Sequence, residues 1–381
     1  MLADLPAVLA GLFALIGLAQ AAVGTLLVRR FMAAPRPAPA ATPPVTLLKP
    51  LHGDEPMLEA ALASNLMLDY PDYQIVFGVA RADDPALVVV ERLRARFPDR
   101  DIAVVIDPQR HGANGKIGNL INMLPSAKHD ILVIADSDVH VAPDYLTRIV
   151  AALEPPGVGL ATVLYTGLPV PGAAAELGAA GISRGFLPSA LLARAMGRQD
   201  CLGASMALHR DTLARAGGLE ALADHLADDN LLGARVRALG MSVVLARTVP
   251  ATTVGETSFA ALWRHELRWA RTIRALVPVE YALSMLQHGL AWAIFALFLS
   301  GGADWALSLF VGGWALRIAV GRAIDRALRL SGQAASRPWQ APARDLLCFA
   351  VTLASYGSTQ VEWRGQTMRA APLPPTGTTP P

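Results

Sequence analysis

Two carboxylates separated by one residue follow an apolar run near the middle of the sequence. The segment "ILVIADSDVHV", residues 131–141, passes from five apolar residues into Asp136-Ser137-Asp138 and then becomes apolar again. A carboxylate pair at the end of a buried strand can hold a hard divalent cation through oxygen and leave its other positions to phosphate and water. The alternative is a plain turn, because Asp and Ser are frequent turn residues.

Four further polar clusters occur where loops are expected to meet. They contain, in chain order, Asp83 and Asp84 in "ARADDPA", Asn114, Lys116 and Asn119 in "GANGKIGNL", Asp228 and Asp229 in "LADDNLLG", and His265, Arg268 and Trp269 in "HELRWAR". Each has a structural alternative: a helix start at Asp84, a plain hairpin at residues 112–115, a solvated acidic pair, and an interfacial anchor at Arg268-Trp269. Their order and joint location favour one shared site.

The elements that must position these clusters alternate between strands and helices from Val45 to about Val254. The strand-like segments are "VTLLKPL", "QIVFGVA", "DIAVVID" and "DILVIAD", and the helical ones are "EPMLEAALASNLML" and "ALVVVERLRARF". This alternation predicts an α/β fold with a largely parallel sheet covered by helices. Ligands bind beyond the carboxyl ends of the strands in such sheets, and acidic clusters follow two of these strands.

These residue types fit the transfer of a sugar from a nucleotide-sugar donor, whose diphosphate gains charge as the sugar leaves. A cation held by Asp136 and Asp138 would stabilise that charge as a Lewis acid. Lys116 and Arg268 would add positive charge on the same phosphates. The acceptor hydroxyl must lose its proton, and we expect Asp229, a carboxylate free of metal, to accept it.

The composition indicates membrane-spanning segments rather than one large soluble core. Hydrophobic residues make up 53% of the 381 residues and charged residues only 17%, and the mean hydropathy is +0.38. The net charge of +2, with scattered Lys and Arg, is not typical of a nucleic-acid-binding protein. The two cysteines, Cys201 and Cys348, have no metal-ligand spacing and form no disulfide framework.

The first apolar run, Leu5 to Val28, contains no charge and is long enough to cross a bilayer. A cleavable signal peptide is the alternative, with Ala19-Gln20-Ala21 resembling a cleavage site. Asp4 precedes the run and Arg29-Arg30 follow it, so the positive charge lies on the wrong flank for a signal peptide. The same charge asymmetry predicts that the chain after Arg29 is cytoplasmic.

Three apolar runs occur near the other end, at Tyr281–Leu299, Trp305–Val320 and Leu346–Val361. Arginines from Arg317 to Arg329 indicate a cytoplasmic end for the second run. If all three runs crossed the membrane, the basic segment "WRGQTMR" would lie outside the cytoplasm. We therefore expect one of the three runs to be re-entrant or interfacial. The last run is the shortest. The predicted organisation is a transmembrane helix (1–30), a Pro-rich linker (31–44), a cytoplasmic catalytic domain (45–275), a membrane region with two or three apolar segments (276–365) and a Pro-rich tail (366–381).

The motifs resemble those of glycosyltransferase family 21, the ceramide glucosyltransferase type, in family order and at similar spacing. The resemblance runs from "VTLLKPLHGDEP" through "LDYPDYQIVFGVARADDPA", "GANGKIGNL", "ADSDV" and "CLGASMAL" to "LADDNLLG" and "LRWAR". It implies a GT-A fold with flanking transmembrane helices and an inverting, UDP-sugar-dependent reaction. The chain differs from the family pattern at His265, where Gln or Arg is usual, and at Ser183-Arg184-Gly185, where animal members carry His-Pro-Arg.

The resemblance also assigns roles to individual residues. It implies that Asp84 contacts the uridine of the donor, that Asp136 and Asp138 form the metal motif, and that Asp229 is the catalytic base. Lys116, Asp136, Arg268 and Trp269 complete the expected donor site, and Gly203, Ala204 and His265 are expected on the acceptor side. The expected cofactor is a divalent metal, Mg²⁺ or Mn²⁺.

Within the family, "GISRGFLPSALLAR" and the Ala-rich style are most similar to the bacterial hopanoid-biosynthesis branch. We therefore expect transfer from UDP-N-acetylglucosamine or UDP-glucose to a hopanoid such as bacteriohopanetetrol, at the bacterial inner membrane. The alternatives are a ceramide glucosyltransferase acting on a sphingolipid, a processive polysaccharide synthase, for which there are few spans, and an inactive lipid-binding scaffold. A scaffold would not need the complete acidic set that this chain retains.

Overall fold

The computed structural model describes residues 4–363 and 366–374. They divide into two compact units. The first unit contains the chain up to Ala34, Gly167–Met196 and the described part of Glu256–Pro372, and the second contains Pro35–Thr166, Gly197–Gly255 and the described residues after Pro372.

The strands are β1 (Val45–Pro50), β2 (Tyr73–Val79), β3 (Asp101–Ile106), β4 (Ile131–Ala135), β5 (Val139–His140), β6 (Val158–Thr162), β7 (Thr166–Pro169), β8 (Ser205–His209), β9 (Ser242–Leu245), β10 (Ala251–Val254), β11 (Gln360–Trp363) and β12 (Gln366–Arg369). The α-helices are α1 (Leu5–Ala33), α2 (Leu58–Leu66), α3 (Ala86–Arg96), α4 (Gly115–Met123), α5 (Tyr145–Leu153), α6 (Ala173–Gly181), α7 (Leu187–Ala195), α8 (Arg210–Arg215), α9 (Asp228–Ala238), α10 (Phe259–Leu276), α11 (Pro278–Leu283), α12 (Gly289–Leu299), α13 (Asp304–Leu328) and α14 (Gln340–Ser355). The four strands and two helices predicted from the apolar patterns are confirmed.

The second unit is built on a seven-stranded sheet of order β3-β2-β1-β4-β8-β6-β9. Strands β3, β2, β1 and β4 are parallel, as expected, whereas β8 is antiparallel to both β4 and β6. The sheet is therefore mixed. Strands β1, β2 and β4 are mostly apolar because their residues are buried on both faces of the sheet.

Alternate residues of the central strands enter two different cores, one on each face. Leu47 of β1 and Val133 of β4 belong to one hydrophobic cluster, and Leu48 and Ile134 belong to the other. Each pair of neighbouring strands is thereby fixed in register, because a shift by one residue would exchange the two faces. The rigid sheet holds the loops at its carboxyl edge in place.

The first unit contains the apolar helices. Among the described residues, α1 and α13 are each long and apolar enough to cross a membrane, and residues 278–299 form a further candidate that is bent by 65° at His288. Helix α1 corresponds to the predicted N-terminal transmembrane helix, and the bent pair is the first of the three C-terminal runs. Helix α14, with 16 residues, covers most of the third run and is not among these candidates.

Close backbone contacts hold these apolar helices together. A Cβ added at Gly17 of α1 would lie 2.5 Å from the carbonyl oxygen of Leu286, and one added at Gly289 would lie 2.9 Å from that of Ala14. Small residues at both positions let the two backbones approach closely, which is a common arrangement of membrane helices.

The division into units differs from the predicted catalytic domain of 45–275. Helices α6 and α7 and all of α10 belong to the first unit. The alternating pattern of strands and helices could not reveal this grouping, because it depends on tertiary contacts. Gly24 of α1 contacts Pro188 of α7, and Gly181 of α6 lies against the guanidinium of Arg344. The predicted Pro-rich tail begins as strand β12, and its residues beyond 374 lie outside the described part of the chain.

Candidate active site

The Asp136-Ser137-Asp138 segment forms a turn directly after β4, at the carboxyl edge of the sheet. The amide of Asp136 donates to the carbonyl of Ala204 at 3.2 Å, and the amide of Thr253 donates to the carbonyl of Asp138 at 3.1 Å. The turn is thus held from the neighbouring β8 and β10 sides. Both the turn and the carboxylate pair proposed from the sequence are present in the same three residues.

The two carboxylates of this turn differ in environment. The Asp138 side chain accepts a hydrogen bond from Thr252 Oγ1 at 2.6 Å. Burial and the nearby charge of Asp136 raise the pKa of Asp138 to about 6. Two carboxylates this close repel each other, so a cation between or beside them would be stabilising.

Lys116 provides positive charge at the same edge. Its backbone begins α4, where the Asn114 side chain caps the helix by accepting from the amides of Lys116 and Ile117. The ammonium lies 2.7 Å from Asp136 Oδ1 and 3.7 Å from Asp228 Oδ2. Burial opposes its charge, but Asp136 and Asp228 outweigh that effect and raise the pKa of Lys116 above its usual range. The charged form of Lys116 is therefore favoured beside these carboxylates.

Asp228 and Asp229 begin helix α9 and have different surroundings. Asp228 is buried, 3.4 Å from the Asn114 amide nitrogen, and burial raises its pKa although Lys116 opposes the rise. Asp229 is half-buried, and its Oδ1 accepts from the Asn230 amide at 2.7 Å. Burial and the charge of Asp228 raise the pKa of Asp229 to about 7. Asp229 therefore combines partial exposure with the pKa of a group that exchanges protons near neutrality.

Gly203 leaves the space that the Asp229 carboxylate occupies. A Cβ added at Gly203 would lie 3.0 Å from Asp229 Oδ2 and 3.3 Å from its carboxyl carbon. Ala204 follows, and its carbonyl is the acceptor for the Asp136 amide. The "CLGAS" segment thus connects the two acidic clusters within the second unit.

Asp84 has a well-defined structural role. Its carboxylate accepts from the Gly53 amide at 2.9 Å and from the Ala86 amide at 2.9 Å, which joins the loop after β1 to the first turn of α3. Its neighbour Asp83 is exposed and paired with Arg81 at 2.5 Å. Asp84 therefore contributes to the start of α3, as the structural alternative in the sequence analysis suggested. Its carboxylate also holds the loop after β1.

Two charged residues contact the Asp136–Asp138 turn and were not identified from the sequence. Lys49 of β1 is fully buried and donates to the carbonyl of Asp136 at 2.7 Å, and Glu55 is hydrogen-bonded to the hydroxyl of Ser137. Burial lowers the pKa of Lys49 to about 8, against the opposing effect of Asp138, Asp136 and Glu55. The available signal was a lysine inside the otherwise apolar strand "VTLLKPL".

The remaining predicted residues, His265, Arg268 and Trp269, lie on α10 in the first unit. His265 Nδ1 is hydrogen-bonded to Glu256, and the rings of His265 and Trp269 meet edge to face at 4.6 Å. Although burial opposes it, this hydrogen bond to His265 lowers the pKa of Glu256. The second unit brings together the other predicted residues: Lys116, Asp136, Asp138, Gly203, Ala204 and Asp229, with Asp84 on the adjoining loop.

Within residues 4–363 and 366–374, no three His, Cys, Asp or Glu side chains are arranged to hold a metal ion.

A mixed sheet of this kind, with carboxylates beyond β4 and a second acidic pair on a following helix, defines the GT-A class of glycosyltransferase folds. A mannosyltransferase from Pyrobaculum calidifontis, solved with GDP-Man and Mn²⁺, has a similar fold: the match covers 90% of this chain and 99% of that one at 20% identity, with a TM-score of 0.52. The Glycosyl transferase family 21 model matches residues 9–373, and the chain therefore belongs to glycosyltransferase family 21.

Individual relatives match over shorter segments. The ceramide glucosyltransferase of Komagataella phaffii is 34% identical over 122 residues, which are 31% of this chain and 24% of that protein. Ceramide glucosyltransferase 1 of Caenorhabditis elegans is 22% identical over 266 residues, 68% of this chain and 57% of that protein. The chain thus spans from about a quarter to just over half of the length of these two relatives.

Proposed function

We propose that this protein transfers a sugar from a UDP-sugar to the hydroxyl of a membrane lipid, with inversion at the anomeric carbon. The observation that carries the proposal is the separation of two carboxylate functions at one sheet edge. Asp136 and Asp138 form a pair on the turn after β4, whereas Asp229 stands on α9 with a pKa near 7. The Asp136–Asp138 pair is suited to binding a cation and a diphosphate, and Asp229 is suited to accepting a proton.

The carboxylates of Asp136 and Asp138 would hold the divalent cation, Mg²⁺ or Mn²⁺. The residues fit such an ion because they offer only oxygen ligands and because each carboxylate opposes the charge of the other. The donor phosphates and water would complete the coordination. When bound, the ion supplies Lewis-acid stabilisation of the departing diphosphate. The Pyrobaculum calidifontis mannosyltransferase of similar fold, whose structure contains Mn²⁺ and GDP-Man, is consistent with this assignment.

The chain's own cations and aromatic groups would orient the donor. Lys116, 2.7 Å from Asp136, would neutralise phosphate charge beside the carboxylate pair. Asp84 would face the uridine, and the family motif gives Arg268 and Trp269 of α10 a donor-binding role. These roles follow the family motif residue by residue.

Asp229 would act as the general base. The acceptor oxygen attacks the anomeric carbon, the bond from that carbon to the diphosphate oxygen breaks, and its electron pair leaves on UDP. The hydroxyl proton passes to the Asp229 carboxylate. Asp228 is less suited to this role because it is buried beside Asn114 and Lys116.

The pH dependence of kcat/KM should report the ionisation of Asp229 in the free enzyme. The carboxylate must be unprotonated to accept a proton, so activity should be present above a pKa of about 7 and fall below it. With metal and acceptor saturating, we expect kcat/KM for the donor to decrease about tenfold per pH unit on the acid side. A flat profile from about pH 5.5 to 8 would exclude Asp229 as the titrating base.

Replacing Gly203 should disturb Asp229 without touching the metal pair. In Gly203→Ala the new methyl group would lie 3.0 Å from Asp229 Oδ2, so the carboxylate must move by a few tenths of an ångström. We expect turnover to fall roughly tenfold, because small displacements of a reacting group are costly. Steady-state kinetics should be compared with Gly312→Ala, whose Cβ meets no atom within 4 Å. Unchanged turnover in Gly203→Ala would show that crowding at the Asp229 carboxylate does not affect catalysis, which would contradict its assigned role.

We assign the acceptor to the hopanoid class, and bacteriohopanetetrol is the leading candidate. The apolar helices α1 and α13 support a membrane location, and Arg29-Arg30 near the end of α1 support a catalytic domain on the cytoplasmic face of a bacterial inner membrane. Where animal family members carry His-Pro-Arg, Arg184 here is paired with Asp325 at 2.5 Å inside the first unit. Ceramide is the second candidate acceptor, because the matched relatives are ceramide glucosyltransferases.

The proposal is tested by transfer of label from nucleotide sugar to lipid. Purified protein in detergent would receive labelled UDP-N-acetylglucosamine, UDP-glucose or GDP-mannose with bacteriohopanetetrol, ceramide or diacylglycerol, with and without EDTA. We expect labelled hopanoid from a UDP-sugar only when the divalent metal is present. Labelled ceramide would correct the acceptor, and no labelled lipid from any combination would contradict the proposed function.

A further inference from the structure

Lys49 is an unusual residue for the centre of a sheet. It is the fifth residue of β1, it is 0% exposed, and β1 lies between β2 and β4. Burying an ammonium group is strongly unfavourable unless it is paired and hydrogen-bonded. A lysine at this position therefore indicates that the surrounding groups need its charge or its hydrogen bonds.

The ammonium of Lys49 is directed at the backbone of the proposed metal-binding turn. Its Nζ donates to the carbonyl oxygen of Asp136 at 2.7 Å, across 87 positions of sequence. This contact differs from that of Lys116, which approaches the Asp136 carboxylate itself. Lys49 can therefore fix the chain of the turn while leaving the carboxylate oxygens available.

A second contact from the same segment fixes the middle of the turn. Glu55, in the loop after β1, is hydrogen-bonded to the hydroxyl of Ser137, which is only 4% exposed. Ser137 is thus more than a spacer between the two carboxylates. The carbonyl of Asp136 and the hydroxyl of Ser137 are both held from β1 and its following loop.

We propose that Lys49 is a positioning residue for cation and diphosphate binding, and that with the Glu55–Ser137 hydrogen bond it holds Asp136 and Asp138 in the geometry that a metal ion requires. The inference rests on the proposed function and adds residues to it. The buried cation also offsets the repulsion between the two carboxylates of the turn. Because the Asp136–Asp138 turn is already ordered, binding of the cation and the diphosphate does not have to offset the cost of ordering it.

The test uses Lys49→Met, which retains the length and apolar stem of the side chain but loses its hydrogen bond and charge. Mn²⁺ binding in the presence of UDP would be measured by electron paramagnetic resonance on the full-length protein in detergent. We expect Mn²⁺ to bind about tenfold more weakly, since a buried hydrogen bond involving a charged group is lost. Lys49→Arg should recover part of the affinity because it keeps the donor and the charge.

Thr46→Val is the matched control, because Thr46 is also buried on β1 but hydrogen-bonds to Gln74 at the other end of the strand. It should leave Mn²⁺ binding unchanged. Ser137→Ala removes the Glu55–Ser137 hydrogen bond without changing any charge. This variant tests the proposed ordering of the turn if Lys49→Met does not fold. We expect Ser137→Ala to weaken Mn²⁺ binding severalfold.

The outcomes separate the two proposals. If the wild type binds Mn²⁺ and UDP, and folded Lys49→Met binds Mn²⁺ as tightly or more tightly, the role of Lys49 is overturned while the proposed function stands. A gain in affinity would mean that repulsion between the ammonium and the metal dominates. If the wild type binds neither Mn²⁺ nor UDP, both proposals fail together.

Discussion

Asp229→Asn should abolish most of the sugar transfer while leaving donor binding nearly intact. The amide retains the size of the carboxylate but cannot accept a proton, so turnover should fall by roughly 10²- to 10⁴-fold. The Asp229 side chain is half-buried and is not paired with Lys116, so the substitution leaves the Lys116–Asp136 ion pair in place. Turnover by label transfer and UDP affinity by calorimetry would be measured on the same preparation.

Asp228→Asn is the comparison for this prediction. Asp228 is buried, within 3.7 Å of Lys116 and 3.4 Å of the Asn114 amide nitrogen, so its loss should affect stability and the position of Lys116 more than proton transfer. We expect Asp228→Asn to lower the melting temperature and to retain the acid limb of the pH profile. A fully active Asp229→Asn beside an inactive, folded Asp228→Asn would show that the base is Asp228.

The second large effect is expected at the carboxylate pair. Asp138→Asn removes a charged metal ligand while the amide oxygen can still accept the hydrogen bond from Thr252. Loss of the metal's contribution to the departing diphosphate, several kcal/mol, should lower kcat/KM by about 10²-fold or more. Unlike Asp229→Asn, this variant should also weaken the binding of Mn²⁺ and of the donor.

Titration with Mn²⁺ would check this prediction. The metal concentration for half-maximal activity should rise in Asp138→Asn and in Asp136→Asn, and remain near the wild-type value in Asp229→Asn. Asp101→Asn is a suitable control, because Asp101 is an exposed residue of β3 paired with Lys128. An unchanged metal requirement in both variants of the pair would remove Asp136 and Asp138 from the metal site.

The sequence supported most of the second unit because its signals are local. The apolar runs of β1, β2, β3 and β4 predicted strands that the structure confirms, and the Asp136–Asp138 spacing placed a polar turn at the carboxyl edge. The resemblance to family 21 is confirmed over nearly the whole chain. The roles of Lys116, Gly203 and Asp229 remain proposals, but the structure brings these residues to one edge of one unit.

The features that the sequence did not reveal depend on tertiary contacts. The residues on either side of Lys49, Leu48 and Pro50, are apolar, and its acceptor lies 87 residues away. The antiparallel direction of β8 depends on its pairing with β4 and β6, which no local pattern encodes. In the same way, α6 groups with the apolar helices through the fit of Gly181 against Arg344.

The central claim, direct displacement assisted by Asp229, is tested most directly by the anomeric configuration of the product. Sugar would be transferred from an α-linked UDP-sugar to the lipid that accepts label, and the anomeric proton coupling of the purified glycolipid would be measured by NMR. A single displacement with one base predicts a β-linked product. An α-linked product would contradict the account, because retention of configuration requires a different mechanism from the one assigned to Asp229.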